Sequence, residues 1–171
     1  PLRRFAKSEI VPSNKDRFLR KETLQGFVHD EASAFFGGLA GNAGLFSTAR
    51  DVARVYQMLL NGGEIDGQRY LSKETCQLFT TEISKISRRG LGFDKPDADD
   101  PKKGNCAPAA PAEVYGHTGF TGTCAWVDPM NELVYVFLSN RIYPDVTNRK
   151  LNQLHIRERI QGAIYDAMKK K

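Results

Sequence analysis

The stretch Tyr115-Gly116-His117-Thr118-Gly119-Phe120-Thr121-Gly122 gathers more site-forming chemistry than any other part of the chain. A strand that carries a titratable ring, then a hydroxyl, then a glycine can line a pocket with its edge. The glycine lets a ligand approach the backbone, and the following N–H is free to donate. The same residues also suit a plain strand with glycines at a bend, His117 merely filling a half-buried slot. Spacing alone leaves both readings open.

Other candidates carry less. Gly37-Gly38-Leu39-Ala40-Gly41-Asn42-Ala43-Gly44 is glycine-rich, but it lacks the Gly-Lys-Ser/Thr ending that brings a cation to phosphates, and no strand clearly precedes it. Backbone turns packed before a helix account for it better. His29-Asp30-Glu31, with His117 and His155, offers metal-ligand types; adjacent residues of an extended segment point to opposite faces, so they rarely ligate one ion. His29 reads as a hydrogen-bonded loop anchor. Cys76, Cys106 and Cys124 have no CxxC spacing, which disfavours structural zinc, and Cys76 and Cys124 read as buried free thiols. No metal and no cofactor is expected.

These residues need a scaffold, and 171 residues suffice for one domain with its own core. Apolar residues at 40% and charged residues at 26% exclude disordered and fibrous classes. The longest apolar run, Leu133 to Leu138, is far short of the roughly 20 residues of a membrane span. The net charge of +5 comes partly from Arg3, Arg4, Arg17, Arg20 and Lys21 and partly from Lys169-Lys170-Lys171. No nucleic-acid motif accompanies these clusters, so they read as solvated faces and nucleic acid is set aside.

Four blocks follow: 1–36, a polar, irregular lead-in; 37–93, helical; 94–113, a long loop rich in Asp, Lys, Pro and Ala; and 114–171, strands then a helix. Thr48-Ala49-Arg50-Asp51 has capping-box spacing, and Val52, Val55, Tyr56 and Leu59 form one stripe ended by Asn61-Gly62-Gly63. A second helix is predicted from Ser72 to about Ile83, with Leu71 and Cys76 as a hydrophobic staple. Val114–Thr118, Thr123–Val127 and Leu133–Leu138 read as antiparallel strands, the last two a hairpin. A C-terminal helix with the stripe Ile156, Ile160, Ala163, Ile164 and Ala167 would pack across them. The fold class is α+β: an antiparallel sheet flanked by that helix, plus part of a helical lobe.

The residues also resemble a known family. His117-Thr118-Gly119 is similar to the Lys-Thr-Gly strand motif of serine β-lactamases and penicillin-binding proteins, in the His-Thr-Gly variant of β-lactamase-related esterases and D-amino-acid peptidases of the class C-like branch. Gly38 through Asp51 resembles the family stretch G-A-G-G-L-x-S-T-x-x-D. Gly119-Phe120-Thr121-Gly122-Thr123 and Leu138-Ser139-Asn140-Arg141 resemble its strand-end segments. The likeness covers residues 26 to 168. It implies a β-lactamase/transpeptidase-like fold of the α/β sandwich type, and a bacterial, extracytoplasmic setting. Similar domains follow family 3 glycoside hydrolases (β-N-acetylglucosaminidases) in some bacteria.

The resemblance implies acyl transfer through a serine ester, with Ser-x-x-Lys as nucleophile and partner and Tyr-x-Asn or Ser-x-Asn in the proton shuttle. No serine of this chain has lysine at the third following position, and no tyrosine is followed two residues later by asparagine. The chain is therefore expected to be the C-terminal part of an enzyme, inactive alone and incomplete as a fold, with three of about five sheet strands. Its expected partners are the missing N-terminal half, a small-molecule or wall-peptide substrate and, through an unpaired edge at the strand near Val114 or its neighbour, a second copy. The competing expectation is a non-catalytic module that binds wall peptides. The resemblance assigns His117 and Thr118 to substrate contact, Gly119 to close approach, and the Phe120 N–H to half of the oxyanion hole. Histidine in place of lysine removes a permanent cation and favours esterase or D-peptidase chemistry, with His117 acting neutral.

Overall fold

The computed structural model describes residues 1–100 and 104–169; residues 101–103 of the long loop, and Lys170 and Lys171 of the basic tail, lie outside them. The lead-in is more ordered than its composition predicts. It forms an antiparallel pair, β1 (Pro12–Lys15) with β2 (Thr23–Gln25), and a short helix α1 (Glu31–Phe35) capped by Asp30. Side chains rather than apolar periodicity build it. Asp16 accepts the N–H groups of Phe18, Leu19 and Arg20 and the Arg20 Nε–H at 2.8–3.1 Å. Those bonds, the Arg20 side chain's first among them, hold its carboxyl well below the usual carboxylate range. Such local polar closure leaves no period for sequence patterning to detect.

Helix α2 (Ala49–Leu60) begins and ends where its signals lie. Thr48 Oγ1 accepts the Asp51 N–H at 3.2 Å. At the other end the Gly63 N–H reaches the Met58 carbonyl and the Gly62 N–H the Leu59 carbonyl, a Schellman stop on two left-handed glycines. A small hairpin, β3 (Glu64–Ile65) with β4 (Gln68–Arg69), leads to α3 (Lys73–Thr80). Ser72 caps α3 through the Thr75 N–H. The helix stops at Thr80 rather than near Ile83, because Thr81 turns extended and Ile83 has no core to reach.

The sheet is β5 (Tyr115–Thr118), β6 (Cys124–Asp128) and β7 (Leu133–Phe137), antiparallel in that order. The hairpin is closed by Asp128, whose carboxylate accepts from the Met130 and Asn131 backbones. All five residues of β6 are buried, so both faces of the sheet are covered. On one face Tyr165 donates to Asp128 at 2.9 Å and Tyr135 to the Arg157 carbonyl at 3.1 Å, which seats the C-terminal helix α5 (Ile156–Met168). A single turn, α4 (Lys150–Gln153), precedes α5. On the other face Tyr115 meets Phe93 edge-on, and Phe93 meets Tyr56 of α2. Helix α2 thus crosses β6 and β7 instead of standing apart in a lobe.

Two expected stripes need correction. In α5 the buried residues are Arg157, Gln161 and Tyr165; of the expected stripe Ile156 and Ile164 are half-buried, Ile164 against the core, whereas Ile160, Ala163 and Ala167 are exposed. The buried face is polar because each member has a partner: Arg157 reaches the Thr123 carbonyl and Gln161 accepts the Ala107 N–H. In α2 no residue is fully buried, and Val55 is exposed. The long loop is also not a surface loop throughout, since Asp94, Lys95, Cys106 and Ala107 are buried. Cys76, Cys106 and Cys124 are free and buried. Burial pushes the Cys106 thiol up to about 12 and Cys124 to about 11. Among the described residues no helix is long and apolar enough to cross a membrane.

Candidate functional site

The site strand is pinned on both sides. His117 pairs with Ala125 and Thr118 with Cys124 across β6, and on the outer edge Asp94 and Gly116 exchange both backbone bonds, at 2.7 and 3.0 Å. Adjacent strand residues alternate faces, so His117 lies on the α2 side and Thr118 on the α5 side. The strand brings the two to one end but not to one face. Thr118 is half-buried, and its hydroxyl makes no hydrogen bond among the described residues.

His117 is exposed and both ring nitrogens are engaged. Nδ1 lies 2.6 Å from the Thr118 carbonyl oxygen, and Nε2 lies 3.0 Å from Arg89 Nη1. A carbonyl can only accept and a guanidinium can only donate, so Nδ1 carries the proton and Nε2 accepts. In this arrangement the ring is neutral, and the fixed positive charge beside it belongs to Arg89. Sequence reading missed Arg89. Its only sequence signal is a place in Arg88-Arg89-Gly90 shortly before the invisible pairing of Asp94 with Gly116.

Asp94 organises those arginines. It is fully buried, accepts Arg88 Nε at 2.9 Å, Arg88 Nη2 at 3.1 Å and Asn105 Nδ2 at 2.7 Å, and sits 3.8 Å from Arg89 Nη2. Burial pushes its carboxyl up, but the hydrogen bonds from Asn105 and Arg88 and the charges of both arginines outweigh it, leaving it below the usual range. Lys95 is held beneath by the Thr80, Glu113 and Val114 carbonyls at 3.3–3.4 Å, and burial pulls its ammonium down.

Beyond β5 the chain makes a four-residue turn closed by the Gly122 N–H on the Gly119 carbonyl at 3.0 Å. The N–H of a turn's second residue points outward and has no partner inside the turn. Here that residue is Phe120, and among the described residues nothing accepts its N–H. Gly119 has a packing reason of its own, because a Cβ there would meet Thr123 Oγ1 at 2.3 Å. Gly122 has a φ of 108°, and a Cβ on it would meet Ser139 Oγ at 2.6 Å. His29 is hydrogen-bonded through its carbonyl, which accepts Arg20 Nη2, and not through its ring: Nδ1 is buried without a partner among the described residues, and the ring stacks on Phe120 at 5.5 Å. The glycine-rich segment follows α1 rather than a strand, with left-handed Gly37, Gly38 and Gly44.

An outward amide just past the end of β5 can hold a developing oxyanion, and the guanidinium of Arg89 against His117 can hold an anionic group. Comparison with known proteins identifies the family. The chain is 36% identical over 135 residues to an Escherichia coli (strain K12) protein named "Putative D-alanyl-D-alanine carboxypeptidase", covering 78% of this chain and 31% of that protein. Proteins of the same name from Salmonella agona (strain SL483) and Salmonella typhi match with the same identity and coverage. The chain therefore spans less than a third of the length of these relatives. The family profile described as Beta-lactamase matches residues 7–158, and with the sheet, the turn and the strand motif all inside that span, the chain belongs to the Beta-lactamase family.

Proposed function

We propose that this chain is the C-terminal part of a β-lactamase-related serine hydrolase that acts by acyl transfer on esters or D-alanyl peptides, in extracytoplasmic wall-peptide processing. The observation that carries the reading is the unpartnered Phe120 N–H at the end of β5. In the reaction a serine oxygen from outside this chain attacks the substrate carbonyl, and the bond to the leaving group breaks as that group takes the serine proton. Water then releases the acyl group. The Phe120 N–H stabilises the oxyanion and Thr118 contacts the substrate. His117, neutral, holds Arg89 in place, and Arg89 supplies the permanent positive charge for a substrate carboxylate that a histidine lacks.

Fluorescent penicillin or fluorophosphonate labelling tests the proposal. This chain alone should form no covalent adduct, whereas a longer protein that supplies Ser-x-x-Lys should label once. An adduct on any serine of this chain refutes the division of labour. In the longer protein Arg89→Gln should raise KM for peptides with a free C-terminal carboxylate about ten- to a hundredfold, the range of a charge-assisted bond. An unmoved KM removes Arg89 from the site.

The lack of Ser-x-x-Lys in these residues favours a second reading, a wall-peptide-binding module that acts without chemistry. The coding region upstream discriminates the two. It also decides whether a family 3 glycosidase domain precedes this one.

A further inference from the structure

We propose that Arg141 is a positioning residue that locks the 119–122 turn so that the Phe120 N–H points at the substrate carbonyl. The inference rests on the oxyanion role given to Phe120 above. All three carbonyls after Gly119 are taken by the segment 139–141. Arg141 Nε donates to the Phe120 carbonyl at 2.9 Å, the Arg141 N–H to the Thr121 carbonyl at 2.9 Å, and Ser139 Oγ to the Gly122 carbonyl at 2.9 Å.

The Arg141 guanidinium also lies over the Phe120 ring, 4.6 Å from its centroid, and the His29 ring stacks on Phe120 in a nearly parallel plane. Arg141 is anchored in turn by the Val146 and Asn148 carbonyls. His29 is anchored by its own carbonyl, which accepts Arg20 Nη2 at 2.8 Å while Arg20 Nε pairs with Asp16.

Physically, the Gly119 carbonyl bond sets the peptide plane that carries the Phe120 N–H, and Arg141 sets the next plane and the ring. Phe120 is thereby left without backbone freedom although more than half of its surface is exposed. An oxyanion donor gains from being fixed before reaction, because reorientation during the reaction costs rate. Among the described residues Arg141 also has no acidic partner, so an ion-pair role does not explain it.

Amide ¹⁵N relaxation on this chain tests the lock directly. In Arg141→Gln the order parameter of the Phe120 amide should fall from near 0.85 to below about 0.6, with Trp126 unchanged. An unchanged Phe120 value overturns the proposal. Should Arg141→Gln fail to fold, Phe120→Leu, which keeps the amide and removes the ring, should show the same fall to a smaller degree, and no fall overturns the proposal.

In a longer, active protein Arg141→Gln should lower kcat on an oxoester about ten- to a hundredfold with KM within about threefold. The corresponding thionoester, whose sulfur accepts hydrogen bonds poorly, should lose much less. Equal losses on both esters overturn the proposal. If the wild-type longer protein cleaves neither ester, the function reading fails and the order parameters alone decide the positioning role.

Discussion

The β5–β7 sheet and the segment from Phe35 to Leu45 are both rich in apolar residues, yet they end in opposite environments. In the sheet Trp126 is 1% exposed and Val127 fully buried, sealed by α5 on one face and α2 on the other. In the glycine-rich segment Phe35, Phe36, Leu39 and Leu45 are 74–87% exposed. Apolar type does not decide burial; a covering element does. The sheet finds its cover within this chain, whereas the glycine-rich segment, although it carries family-like residues, meets none among the described residues. The site turn lies between these extremes. Its Phe120 ring is exposed but clamped by polar and ring contacts rather than by a core.

Trp126→Ala should produce the largest effect on stability, about 3–5 kcal/mol in urea unfolding, because the ring fills the centre of the sheet's core with Cys106, Val114, Cys124 and Tyr135. A loss under 1 kcal/mol, a small-effect threshold set well below the truncation range, would mean the sheet is as loosely covered as the glycine-rich segment.

Asp94→Asn comes next, at about 1–3 kcal/mol, since it removes the charge that orders Arg88 and Arg89 beside β5. The pH dependence has a definite sign. The native Asp94 carboxyl lies below its ordinary value near 3.9, so its contribution is present above that pH and vanishes as pH falls through the native value. Wild type and Asp94→Asn should therefore converge in strong acid and separate as pH rises through about 4. A gap that stays constant into strong acid would assign the effect to shape instead of charge.

The smallest change in monomer stability, within about 0.5 kcal/mol, is expected for Phe36→Ala or Leu45→Ala, because neither ring nor branch touches a core. The same substitutions should reduce self-association. Asp94 takes the outer side of β5 at Gly116, and β7 pairs with β6 alone among the described residues, so β7 offers the longer open edge. Light scattering at micromolar concentration should show species larger than 19.1 kDa for the wild-type chain. A wild-type monomer would show that the open edge and exposed segment do not drive assembly.

Local signals were legible wherever short-range physics suffices. The Thr48 and Ser72 caps, the Asn61-Gly62-Gly63 stop, the Asp128 hairpin turn and the three strands each follow from a few neighbouring residues. The strand motif and the absence of Ser-x-x-Lys were likewise readable from residue types alone. The tertiary structure alone decided which side of α5 is buried, because Arg157, Gln161 and Tyr165 find partners on the long loop and at the two ends of β6, far away in the chain. It alone placed Arg89 against His117 across 28 residues, and His29 and Arg141 against the Phe120 ring. Caps and turns are closed by neighbours, so composition and spacing reveal them. The tautomer of a ring, the direction of an amide and the polarity of a buried helix face depend on partners that only folding brings near.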